Sequence, residues 1–116
     1  MYNDVIRAQL EDCIEHILTI ENYTSTISNA DEFLKQGLLY DASLMRLQAL
    51  GEIIKRLEQK SPEVIKDLNY PFVNEVIKFR DFVSHHYEKL EHDLVYDICK
   101  VFLPELKNCI STLLRK

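Results

Sequence analysis

Residues 38–60, LLYDASLMRLQALGEIIKRLEQK, decide the fold of this chain. Apolar side chains recur there every three or four residues, which is the period of an α-helix with one face in a protein core; the stripe consists of Leu47, Leu50, Ile54 and Leu57, widened by Leu44 and Ile53. Gly51 interrupts this long helix at a cost of about 1 kcal/mol relative to alanine. A close approach by a neighbouring helix would account for a glycine at that position.

The same helical period extends over most of the chain on both sides of this segment. We predict further helices at about 3–23, 31–36, 61–67, 71–88 and 91–114. Asn3 or Asp4 is expected to begin the first, Ser28 or Asn29 to cap the second and Gly37 to end it. Ser61 is expected to cap the helix that opens with Pro62, and Pro104 to kink the last one. The pattern predicts an all-α, up-and-down helical bundle with four main helices and one or two short ones.

Length and composition agree with a single domain over residues 1–116. Two glycines and three prolines among 116 residues leave few turn formers for a many-stranded β-fold. A hydrophobic share of 47% with 28% charged residues argues against a disordered chain. No uncharged apolar run reaches the roughly 18–20 residues that span a bilayer, and acidic residues occupy the N-terminal stretch where a signal peptide would be apolar. We expect a cytoplasmic protein without membrane segments.

Net charge and cysteine content exclude some classes of function. A net charge of −5 argues against a protein that coats nucleic acid non-specifically, although a small local site remains compatible. Cys13, Cys99 and Cys109 lack C-x-x-C spacing, so we expect reduced, buried thiols. His92 and Cys99 are seven residues apart, but no third ligand stands at a customary metal spacing. We therefore predict neither a metal site nor a cofactor.

The segment richest in reactive side chains is residues 78–87, KFRDFVSHHY. Its polar residues are Arg80, Asp81, Ser84, His85, His86 and Tyr87. On a regular helix Arg80 and Tyr87 share a face, whereas Arg80 and His85 lie about 140° apart. A common site then requires a distorted helix, an arginine that reaches around it, or two copies of the segment meeting in a dimer.

Arg80, His85 and Tyr87 match the R-x-x-x-x-H-x-Y motif, and the segment thereby resembles the HepT-like toxins of the HEPN ribonuclease superfamily. A second block, Tyr40-Asp41-Ala42 followed by residues 46–52 (RLQALGE), resembles the long helix of that family. The residue after the arginine is usually polar in the superfamily, commonly Asn, and is Asp81 here. The chain departs from the pattern at Phe72, where many members have Trp after the proline. The resemblance covers essentially the whole chain.

The resemblance implies a HEPN-type homodimer whose motifs face each other across a cleft. It implies a metal-independent endoribonuclease toxin that acts on RNA, with Arg80 and His85 as catalytic residues and Asp81, Ser84 and His86 in supporting or cleft positions. The partner would be an MNT-type nucleotidyltransferase antitoxin that transfers AMP from ATP to Tyr87. The RNA target does not follow from the resemblance.

The residue types suit this chemistry. Metal-free RNA cleavage uses the 2′-hydroxyl as the nucleophile, and a histidine can take up and return its proton near neutral pH. An arginine supplies a permanent charge and a fork that fits phosphate oxygens. The alternative is a non-catalytic helical subunit that binds a nucleotidyltransferase or a nucleotide through the same cleft. Tyr40, Asp41, Arg46 and Gln48 either line that cleft or satisfy the bundle surface.

Overall fold

Helices and helical turns make up all the regular structure of the computed structural model, which describes residues 2–116 and has no strand within that range. The α-helices are α1 (Asp4–Thr24), α2 (Ala30–Lys35), α3 (Gly37–Lys60), α4 (Pro62–Leu68), α5 (Val73–His86), α6 (His92–Asp97) and α7 (Leu103–Leu114). A 3₁₀ turn, Tyr87–Lys89, follows α5, and a π-helical turn, Ile98–Phe102, joins α6 to α7. The four main helices are thus α1, α3, α5 and the joined α6–α7, with α2 and α4 short. This architecture confirms the all-α bundle.

The core lies where α1 and α3 pack against each other. Helix α7 covers α1, helix α5 covers α3, and the short α2 packs on α6. Two contacts show that α1 and α7 run antiparallel: Arg7 Nη1 donates to the Leu114 carbonyl at 3.3 Å, and Lys107 pairs with Glu21 at 2.7 Å. The largest fully buried side chains include Phe33, Leu10, Ile17, Ile20, Leu44, Leu50, Ile54, Leu103, Leu106 and Ile110. None of these helices is both long and apolar enough to cross a membrane, as far as residues 2–116 are concerned.

Helix starts follow the expected capping chemistry in two of three cases. Asn3 Oδ1 accepts from the backbone N–H of Ile6 at 2.8 Å and begins α1. Asn29 does the same for α2 with the N–H of Glu32. Ser61 makes no side-chain capping bond to α4; its backbone N–H instead closes α3 on the Leu57 carbonyl at 2.8 Å.

The prediction that Gly37 ends α2 is wrong. Helix α2 stops at Lys35, and the N–H of Gln36 closes it on the carbonyls of Glu32 and Phe33. Gly37 is the first residue of α3 and has a negative φ, so its conformation is open to other residues. The chain passes from one helix to the next through the single residue Gln36, which leaves no separate turn for a glycine cap.

The predicted irregularity of the last helix is present, but it precedes Pro104. The π-helical turn ends at Phe102, and Pro104 is then the second residue of α7. Proline has no N–H to donate to the carbonyl four residues earlier, and near the start of a helix that loss matters little. A widened π turn just before the proline therefore lets the helical path continue.

Candidate functional site: a polar seam between α3 and α5

Polar pairs join α3 to α5 and to the turn after it along the whole length of the motif. We call these pairs the polar seam. They are Asp41–Tyr87, Gln48–Ser84, Glu52–Arg80 and Lys55–Asp81. Residue numbers rise on α3 as they fall on α5 in the first three pairs, so the two helices run antiparallel. The seam places four of the six polar motif residues beside α3.

Gly51 allows the two helices to come this close. A Cβ atom at position 51 would lie 2.5 Å from the Arg80 Cβ and 2.9 Å from its Cγ, distances that real Cβ atoms do not tolerate. The expectation that this glycine serves a close helix approach is therefore confirmed. The residue packed into the space is Arg80 of the motif itself.

Arg80 is held by carboxylates on both sides. Its Nη2 lies 2.5 Å from Glu52 Oε2, and its Nη1 lies 2.9 Å from Asp81 Oδ1. The same Asp81 oxygen is 3.4 Å from Lys55 Nζ. The hydrogen bond from Arg80, with the nearby Lys55 charge, holds the pKa of the Asp81 carboxyl below its usual value. Asp81 is thus an ionised neighbour that orients Arg80 within its own chain.

Tyr87 is tied to the first part of α3. Its hydroxyl donates a hydrogen bond to Asp41 Oδ1. That bond, followed by desolvation, raises the pKa of Tyr87 above its ordinary value of 10.0. The side chain is nevertheless 50% exposed, so its hydroxyl is accessible at the surface. Its position in the 3₁₀ turn corrects the predicted extension of the motif helix to Glu88, since α5 ends at His86.

His85 and His86 are exposed and stand outside the seam. The His86 ring lies 5.0 Å from the ring of Phe82, and the two histidine rings are 6.5 Å apart. Helix α5 is α-helical from Val73 to His86, so no distortion turns His85 toward Arg80. The guanidinium of Arg80 is engaged by Glu52 and Asp81 and does not reach around the helix either. Within one copy, the structure does not bring Arg80 and His85 together.

Sequence reasoning missed Glu52 and Lys55 as partners of the motif and left Asp41 and Gln48 undecided. The available signal was their spacing, because positions 41, 48, 52 and 55 recur at helical intervals on one side of α3. Arg46 belongs elsewhere: its Nη1 lies 3.1 Å from Nδ1 of His16 on α1. Burial, then the Arg46 charge, lowers the pKa of His16.

Two further features lie near the motif. An apolar groove of about 520 Å³ lies between α5 and α6–α7, with Phe72, Phe79, Phe82, Leu94 and Phe102 among its lining residues. His92, which the sequence left without a third metal ligand, lies near Asp31 and Asp93, and their donor atoms are all within 4.8 Å of one another. The ion pair from His92 Nε2 to Asp31 at 2.9 Å accounts for that grouping. Cys99 is buried and takes no part in it.

Comparisons with known proteins place the chain in a family. The model of the family "Ribonuclease HepT-like" matches residues 13–113. A Methanocaldococcus jannaschii protein named "Putative RNase MJ0127" is 32% identical over 97 residues, which cover 80% of this chain and 74% of that protein. Another from the same organism, "Gamma-glutamylcyclotransferase and putative RNase MJ0434", is 26% identical over 111 residues; these are 96% of this chain but only 48% of that longer relative. No solved structure matches the chain. The family model begins within α1, ends within α7 and includes the whole polar seam, and so the chain belongs to the HepT-like ribonuclease family of the HEPN superfamily.

Proposed function

We propose that this chain is the endoribonuclease toxin of a toxin–antitoxin pair, cleaving RNA in the cytoplasm without a metal ion. The observation that carries the proposal is an arginine and an exposed histidine on one helix of a chain that belongs to a family of ribonucleases. Arg80 supplies positive charge to the phosphate that is cleaved. His85 either takes the proton from the attacking 2′-hydroxyl or donates a proton to the leaving oxygen. His86, Asp81 and Ser84 support the site.

The active site is shared by two copies of the chain. Arg80 faces α3, whereas His85 projects from α5 with no contact to the seam, so one copy does not assemble both groups around one phosphate. A two-fold dimer that brings the motif helices together supplies an arginine and a histidine from different copies to each site. Two symmetric sites would result.

Modification of Tyr87 controls the nuclease activity in this proposal. An MNT-type nucleotidyltransferase antitoxin transfers AMP from ATP to the exposed hydroxyl of Tyr87. The tyrosine oxygen bonds to the α-phosphorus, the bond from that phosphorus to the β-phosphate oxygen breaks, and pyrophosphate and the hydroxyl proton are released. The added phosphate brings negative charge and bulk to the seam, where it competes with RNA for Arg80. A toxin modified in this way loses its affinity for RNA.

Cleavage assays on purified variants test the nuclease. His85→Ala and Arg80→Ala are each expected to abolish RNA cleavage while retaining a cooperative unfolding transition. His92→Ala is the matched control because it removes an imidazole that lies on α6, outside the motif. Full cleavage by either of the first two variants would contradict the proposal and favour the non-catalytic subunit.

A mixing experiment tests the shared site. A dimer formed from one Arg80→Ala copy and one His85→Ala copy retains one intact arginine–histidine combination if the two groups come from different copies. The mixed dimer is then expected to regain roughly half of the wild-type rate, since one of two symmetric sites is whole. A mixture as inactive as its parents contradicts two separate shared sites, because it is the result expected if each copy uses its own pair or if a single site needs both pairs.

A further inference from the structure

The surroundings of Arg80 form a socket on α3. Gly51 provides the space that the base of the Arg80 side chain occupies, and the next residue, Glu52, binds the guanidinium at its other end. Two consecutive residues of one helix thus fix both the stem and the head of this arginine. Helix α3 also packs on α1, so the socket stands on a helix that belongs to the core of the bundle.

The Glu52 side chain is partly exposed, but one of its two carboxylate oxygens is buried. Its Oε2 atom is shielded from water and makes no hydrogen bond of good geometry within residues 2–116. A carboxylate oxygen removed from water is costly unless an opposite charge compensates it. The ion pair with Arg80 at 2.5 Å is that compensation.

We infer that Glu52 is the positioning residue for Arg80 in RNA cleavage, a role that rests on the proposed nuclease function. A free arginine side chain samples many rotamers, and only some of them would direct its donors at the phosphate during the chemical step. The socket removes that freedom beforehand. A guanidinium has five N–H donors, so the donors not used by Glu52 and Asp81 remain to bind phosphate oxygens.

The charges around Arg80 indicate that the socket orients this side chain and does not attract RNA. Glu52 and Asp81 balance Arg80 and Lys55, which leaves the cluster neutral. The socket therefore adds nothing to long-range attraction of RNA. Its contribution is a fixed direction for the donors of Arg80 during the chemical step, where small misplacements lower rates strongly.

The test compares Glu52→Gln with Glu58→Gln, a matched loss of one carboxylate on the same helix outside the seam. Glu52→Gln is expected to lower kcat on the order of tenfold to a hundredfold. The dissociation constant for an uncleavable 2′-O-methyl RNA is expected to stay the same or to fall, because one negative charge near the phosphate is gone. Glu52→Asp, which keeps the charge on a shorter stem, is expected to recover part of the rate. A kcat for Glu52→Gln at or above that of wild type overturns the inference.

A second measurement separates the socket from the nuclease function. The Nε–H signal of Arg80 in the NMR spectrum reports how firmly its side chain is held, whether or not the protein cleaves RNA. We expect a well-dispersed signal in wild type and Glu58→Gln, and an averaged one in Glu52→Gln. An unchanged signal in Glu52→Gln refutes the socket even if the chain is a nuclease. Absence of cleavage by the wild type, with the signal changing as expected, refutes the nuclease alone.

Discussion

The hydroxyl of Tyr87 donates a hydrogen bond to the carboxylate of Asp41, a residue 46 positions earlier in the chain. This bond fastens the 3₁₀ turn after the motif helix to the first part of α3. The bond joins two separate helical elements, and its acceptor is a charged carboxylate. Removing either the hydroxyl or the carboxylate should therefore weaken the attachment of the 3₁₀ turn to α3.

A double-mutant cycle of Tyr87→Phe and Asp41→Ala measures that bond. We expect a coupling free energy of about 0.5–1.5 kcal/mol from the urea unfolding curves of the four proteins, since the bond is partly exposed to water. Additive effects of the two substitutions would show that the bond contributes nothing to stability.

Gly51 and Gly37 are expected to respond in opposite ways to alanine. Gly51→Ala should lower the free energy of unfolding by about 1–3 kcal/mol, because the new Cβ meets the Arg80 stem and the helices must separate. Gly37→Ala should raise it by about 0.4–1 kcal/mol, since nothing lies within 4 Å and alanine restricts the unfolded chain. Urea unfolding of both variants checks the pair. A Gly51→Ala protein as stable as wild type would contradict the close approach.

The three free cysteines should react in a fixed order. Burial raises the pKa of the thiols of Cys13 and Cys99 to about 12, so both are protonated and shielded at neutral pH. Cys109 is only partly buried. Timed alkylation of the folded protein, read by peptide mass spectrometry, should modify Cys109 first, and all three should react alike in urea. Equal rates for Cys13 and Cys109 in the folded state would contradict this packing.

Asp81 should remain ionised to a lower pH than an ordinary aspartate. Its folded pKa lies below 3.8, so the stability it contributes is complete above that value and is lost as the pH falls through the folded pKa. The carboxyl ¹³C signal of Asp81 should therefore titrate at a higher pH in Arg80→Gln than in wild type. Identical titration curves would mean that Arg80 does not hold this carboxylate.

The long helices of this bundle were predictable because each carries its own apolar stripe, and some helix starts also carry a local signal. Asn3, Asn29 and Pro62 act locally, and their positions read directly from the sequence. The prediction at Gly37 was wrong because a glycine after a short helix resembles a C-cap, whereas the end of α2 depends on where α3 begins. The π turn depends on packing along the whole of α6–α7, which no local pattern reveals.

The motif residues were predictable as a group, but their partners were not. Arg80, His85 and Tyr87 lie within eight residues, and their match to the family motif indicates phosphate chemistry, while their catalytic roles stay predictions. Glu52 resembles any exposed glutamate of an amphipathic helix until the register between α3 and α5 is known. That register depends on Gly51 and on the packing of both helices, so it is a tertiary property.

The π-helical turn gives the closing helix a tolerance to changes in chain length. Val95, Cys99 and Leu103 are buried at intervals of four residues, whereas Leu103, Leu106, Ile110 and Leu113 follow the ordinary alternation of three and four. Deleting one residue from a regular packed helix rotates everything beyond it by about 100° and turns its core face outward. Here, loss of the half-exposed Val101 would bring Cys99 and Leu103 to a spacing of three, which a regular α-helix places on one face. The π turn thus contains one residue more than a regular α-helical turn. Deleting that residue is expected to leave the core face of α7 buried.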